Sequence, residues 1–86
     1  MSMRLYAAEA ACGVNVGAAS TFADSTQVRL FNTGSANRVV TVANAADVTL
    51  GTMTLADGEI TIIMKDMTDQ IFAASAEVLG TPVKYS

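Results

Sequence analysis

Leu55-Ala56-Asp57-Gly58-Glu59-Ile60 is the stretch on which the reading of this 86-residue chain turns. Asp-Gly lies between two runs of apolar and polar alternation. Glycine takes φ > 0 at no steric cost, and aspartate tolerates turn geometry by bonding to nearby backbone. The spacing predicts a tight hairpin in which the strand ending at Leu55 pairs with one beginning near Ile60. Gly58→Ala is then expected to cost about 1 kcal/mol or more. Upstream, Val48 and Leu50 share one parity while Met53 and Leu55 share the other, with Gly51 at the join. A one-residue slip beside a glycine predicts a β-bulge, or a bend where the strand passes between sheets. Downstream, Ile60, Ile62 and Met64 point one way, and Glu59, Thr61 and Lys65 the other, with Ile63 the exception. Met53 and Met64 are assigned to the core on this parity.

The same pattern extends in both directions. Val28 and Leu30 share a face, and Val40 and Val42 alternate with Thr41. Asn32-Thr33-Gly34-Ser35-Ala36-Asn37 separates these runs and reads as the loop of a second hairpin. Asn44 to Asp47 is a further turn. Lys65 to Gln70 is polar, with room for one helical turn capped by Asp66. Ile71 and Ala73 continue a strand, Glu77 to Pro82 is a bend or short strand, and Val83 and Tyr85 form a last edge strand. Pro82 suits the start of an edge strand. Near the N-terminus, Arg4-Leu5-Tyr6 and Val14 to Val16 are short-strand candidates, and Gly17 to Ser25 is a loop. Ala7 to Ala11 is too short to hold a helix alone. Short strands at this spacing, with no stretch long enough for a crossover helix, define an all-β class. The expected fold is one domain over residues 1–86, a compact antiparallel β-sandwich of about six to eight short strands.

Composition narrows the function. Five Lys and Arg against eight Asp and Glu give a net charge of −3. Arg4, Arg29, Arg38, Lys65 and Lys84 are scattered, which argues against nucleic acid, whose phosphates require clustered cations. No window is apolar for long enough to cross a membrane as a helix, and the N-terminus lacks the pattern of a signal peptide. There is no histidine, so the commonest general base and metal ligand are both missing. The Ser and Thr residues have no such base to activate them. Lys65 and Lys84 would act as bases only if heavily desolvated. Asp66 and Asp69, or Asp57 and Glu59, would suit only a hard cation such as calcium. Turn capping accounts for them better. Cys12 has no basic neighbour and reads as a small buried hydrophobe. The expectation is a non-enzymatic protein without a cofactor.

A domain this small buries a limited share of its surface, so contact with other copies or a partner is expected to add stability. Residues 1–11 are apolar and low in charge, and are assigned as a docking arm. Met1, Met3, Arg4, Leu5 and Tyr6 are its contact residues, with flexible or amphipathic side chains suited to a partner surface. Pairing of Leu5 and Tyr6 as an edge strand of the protein's own sheet is the alternative.

Val28-Arg29-Leu30-Phe31-Asn32-Thr33, Val39-Val40-Thr41-Val42, Leu55-Ala56-Asp57-Gly58-Glu59, Lys65-Asp66-Met67-Thr68-Asp69 and Gly80-Thr81-Pro82-Val83 carry a resemblance. In this order the C-terminal two-thirds resembles small virion proteins of tailed bacteriophages, especially those of marine and cyanobacterial hosts. The resemblance implies a cement (decoration) protein, made in the host cytoplasm and located on the capsid surface. It would bind the major capsid protein, bridge neighbouring subunits and touch its own copies. A small tail or fibre accessory is the alternative. The resemblance supplies no catalytic residues.

Overall fold

A computed structural model of the chain describes residues 3–85. It contains strands β1 (Met3–Leu5), β2 (Ala10–Ala11), β3 (Gln27–Asn32), β4 (Arg38–Ala43), β5 (Thr49–Leu55), β6 (Ile60–Met64), β7 (Gln70–Ala73) and β8 (Val78–Tyr85). They form two antiparallel sheets packed as a sandwich measuring 31 × 31 × 19 Å. The larger sheet has the order β1-β8-β3-β6, with β2 also on β8; the smaller is β5-β4-β7. The all-β sandwich expected from the alternation is the fold observed. Val28 and Leu30 from one sheet meet Val40, Leu55, Ile71 and Ala73 from the other, and Cys12, Phe22 and Val78 complete the core.

The two hairpins read around Asn32–Asn37 and Asp57-Gly58 are not hairpins. β3 pairs with β6 and β8, and β4 with β5 and β7, so both connections cross from one sheet to the other. Asn32 is the reason. Its fully buried amide donates to Ala36 O at 2.8 Å and Leu55 O at 3.0 Å, and its Oδ1 accepts from Gly34 N at 3.0 Å. Its backbone N–H donates to Glu59 O, and its carbonyl accepts from Gly58 N. One residue thus staples both arches together at the end of the core. Gly58 has φ +73° with open space around its missing side chain. The turn requirement therefore holds although the pairing does not. Gly58→Ala should lower the urea unfolding free energy by about 1 kcal/mol, from strain alone.

The local hairpin is β4–β5. Its turn is closed by Asn44, whose Oδ1 accepts from Ala46 N and Val48 N, with Asp47 at φ +65°. The phase change at Gly51 is a bulge. Val42 pairs with Gly51 but Ala43 with Thr49, leaving Leu50 as the extra residue.

Several other expectations need correction. Ile60, Ile62 and Met64 face outward, and Met64 is 80% exposed rather than in the core. The register explains this. Val28 and Leu30 are core residues and pair with Ile63 and Thr61, so those two share the inward face. Met53 is partly buried against the core, as its parity indicated. Lys65–Gln70 is a turn without a helix, with Asp69 N donating to Asp66 O at 3.0 Å. Val16–Ala18 is a 3₁₀ turn capped by Asn15, in place of a strand. β8 is one long internal strand, flanked by β3 and by β1 and β2. Pro82 sits within it because its carbonyl accepts from Tyr6 N. Its ring nitrogen faces the same side, at the break between β1 and β2, where no N–H is needed.

The loop before β3 holds Phe22, Ala23 and Asp24 consecutively in the left-handed region, at φ 50°, 59° and 56°. Such a turn costs roughly 1–2 kcal/mol per residue. Three contacts hold it. The Phe22 ring is buried in the core, Phe22 N donates to Ser20 Oγ at 3.0 Å, and Ser25 N donates to Phe22 O at 3.2 Å.

Candidate functional site

The assigned docking residues lie on a strand, not on a detached arm. Met3, Arg4 and Leu5 form β1 and pair with Tyr85, Lys84 and Val83. Met1 lies outside the described residues. Met3, Leu5 and Tyr6 are all exposed. The register separates them by face. Leu5 shares the outer face of the large sheet with Val83, while Arg4 shares the opposite face with Lys84. Tyr6 borders a cleft with Asp24, Ser25, Met67 and Lys84. The four described residues therefore divide between two sides of the sheet.

The outer face of the large sheet gathers more than the N-terminus does. Across β6, β3 and β8, the register sets Ile60, Phe31 and Leu79 in one row. Ile62, Arg29 and Thr81 form the next, and Met64 lies beside Gln27. Met3 and Leu5 share the face by register at its far edge, but Thr81 and Val83 on the intervening β8 are buried, with Ala7, Ala8 and Glu9 alongside. Arg29 is the one charged strand residue in these rows. Its guanidinium lies 5.8 Å from the Phe31 ring centroid and 3.4 Å from Glu9, which reaches over from the segment between β1 and β2. The cation is thus already engaged. What remains is an apolar sheet face whose most exposed part is Ile60, Ile62 and Met64. The alternation at residues 60–64 was visible in the sequence; the direction it faces needed the register with β3.

The groups considered for chemistry have structural work. Asp69 Oδ2 accepts from Asp66 N at 3.2 Å, and Glu59 Oε1 accepts from Ala56 N at 2.8 Å, so both carboxylates cap turns. Among the described residues no three of His, Cys, Asp and Glu gather as a metal site. Lys65 is buried, and its Nζ donates to Ser25 O at 2.7 Å, Asp66 O at 3.2 Å and Met67 O at 3.4 Å. All three ammonium donors are used. Desolvation lowers its pKa, partly offset by Asp69, Asp24 and Asp66. Sequence reasoning missed this clamp, because its acceptors are backbone carbonyls.

Cys12 is buried in the core, as expected of a cysteine with no basic neighbour, and burial pushes its thiol from 9.0 up to about 11. The folded pKa is raised, so the thiol's contribution to stability is complete below pH 9 and is lost as pH rises towards 11. The difference in unfolding free energy between wild type and Cys12→Ala should shrink by about 2 kcal/mol between pH 8 and pH 10.5. Urea titrations of both proteins at the two pH values measure it. Lys65 titrates in both and cancels.

Among the described residues no helix is long and apolar enough to cross a membrane. No protein-family model, curated protein or solved structure matches the chain.

Proposed function

We propose that this protein is a non-enzymatic virion component that docks on the outer face of a phage capsid and bridges major capsid subunits as a cement protein. The observation that carries the docking role is the apolar outer face of the large sheet. Ile60, Ile62 and Met64 stand in water there, beside an arginine already paired with Glu9. Contiguous apolar surface of this kind marks protein contact sites. The capsid as the partner comes from the resemblance to phage virion proteins. Met3 and Leu5 share that face at its far edge, whereas Arg4 and Tyr6 lie on the other side of the sheet, outside the docking surface. Many modest contacts, repeated by shell symmetry, add up to large stabilisation.

The test is quantitative analysis of purified virions. Co-purification with intact particles, at a copy number tied to the major capsid lattice, is the expected result. A few copies per particle would assign the chain to a tail or fibre accessory. Absence from particles would end the virion reading.

A further inference from the structure

We propose that the free edge of β6 is a self-association site, at which a second copy of this chain adds its own β6 antiparallel across a two-fold axis through Ile62.

The sheet edges differ in how they are protected. The β7 edge is covered by the preceding loop. Ile71 N donates to Ser20 O at 2.8 Å and Ala73 N donates to Gly13 O at 2.8 Å. The opposite edge of the large sheet is formed by two very short strands, β1 and β2, and β1 carries Arg4. Short strands and charges are devices that prevent unwanted pairing. β6 has neither protection. Ile60-Thr61-Ile62-Ile63-Met64 has no charge, proline or glycine.

The hydrogen-bond phase of β6 is fixed at both ends. Lys65 N donates to Thr26 O, and Asn32 N donates to Glu59 O. Residues 59, 61, 63 and 65 therefore direct their backbone groups towards β3. Ile60, Ile62 and Met64 direct theirs to the free edge. These are also the residues whose side chains stand exposed, at 51%, 38% and 80%.

The strand is self-complementary about Ile62. A two-fold axis there sets Ile62 against the partner's Ile62, and Ile60 against the partner's Met64. The outward-facing pairs are all apolar, the inward pair sets Thr61 against the partner's Ile63, and no like charges meet. This is the isologous arrangement of a closed dimer. On the same side of the sandwich, a cleft of about 250 Å³ opens between β5 and β6, lined by Val40, Val42, Met53, Ile63 and Met64. Ile60, Ile62 and Met64 stand side by side along this edge with their side chains in water, an apolar patch of the kind that marks a contact site.

Sedimentation of the purified full chain tests this without any capsid. A dimer at micromolar concentration is expected, and Ile62→Lys should convert it to a monomer with unchanged circular dichroism. Leu5→Lys, at the opposite edge, should leave the dimer intact. Should Ile62→Lys fail to fold, Ile62→Cys with a short bismaleimide replaces it. Residue 62 meets its own copy at the axis, so a covalent dimer should form, whereas Leu5→Cys should give none. Native Cys12 is buried and silent in this assay. A wild type that remains monomeric at about 0.1 mM, where even a weak specific interface is populated, would overturn the proposal. So would a trimer or larger assembly, a dimer that survives Ile62→Lys, or no crosslink at position 62.

Discussion

Asn32→Ala should destabilise the fold by about 3–5 kcal/mol. Three side-chain hydrogen bonds disappear at a fully buried site, each contributing about 1 kcal/mol. The bond to the buried carbonyl of Leu55 costs more than the other two, about 1–3 kcal/mol, because its acceptor loses its side-chain donor. In a domain of this size the loss should lower the melting temperature by at least about 12 °C. Asn32→Asp keeps the shape and removes the donor, while adding a buried charge. It should be no less damaging than alanine. A melting shift below a few degrees for either variant would show that the two arches close without this residue.

Phe22→Ala should cost a similar amount, about 3–5 kcal/mol, through loss of a buried aromatic ring. Two further variants separate the ring from the backbone. Phe22 has φ 50°, where glycine is at ease and alanine is strained. Phe22→Gly should therefore be the less damaging of the two by about 1 kcal/mol, the reverse of the usual order inside a regular element. The ring also explains Gly80. A Cβ there would lie 2.5 Å from the Phe22 ring, so Gly80→Ala should cost about 1–3 kcal/mol by overpacking. In the Phe22→Ala background the same change should be almost neutral. Thermal melts of the four proteins form a double-mutant cycle, and additive costs would deny the contact.

Alternation and turn residues made the strands legible: β3, β4, β5, β6 and β7 fall where apolar periodicity put them, and the irregularity beside Gly51 shows in parity, although the register was needed to choose a bulge over a bend between sheets. Pairing was not legible, for a physical reason. A glycine at φ +73° serves a hairpin and a crossing arch equally well. What chooses between them is Asn32, whose partners Ala36, Leu55, Gly58 and Glu59 lie up to 27 residues on. The outward direction of Ile60, Ile62 and Met64 hides for the same reason. Apolar parity normally marks a core face, and here the register with Val28 and Leu30 reverses it. The left-handed turn at Phe22–Asp24 carries no glycine or asparagine, so nothing local announces it. The N-terminal segment read as an arm contains two short strands, each held by β8, the last strand in the chain.

The two arches bear on how the chain reaches this state. Among the described strand pairs, only β4–β5 joins consecutive elements through a short loop. β3 must wait for β6 and β8, β4 for β7, and β1 and β2 for the last strand of all. Pairings so distant along the chain must close large loops before any contact repays the entropy, and domains built this way fold in milliseconds to seconds rather than microseconds. The β4–β5 hairpin, with Asn44 closing its turn, is the natural nucleus, so substitutions there should slow folding while those in β1 mainly speed unfolding. During that wait the uncharged β6 segment is unpaired on both sides, and concentration during refolding then decides between assembly and aggregation.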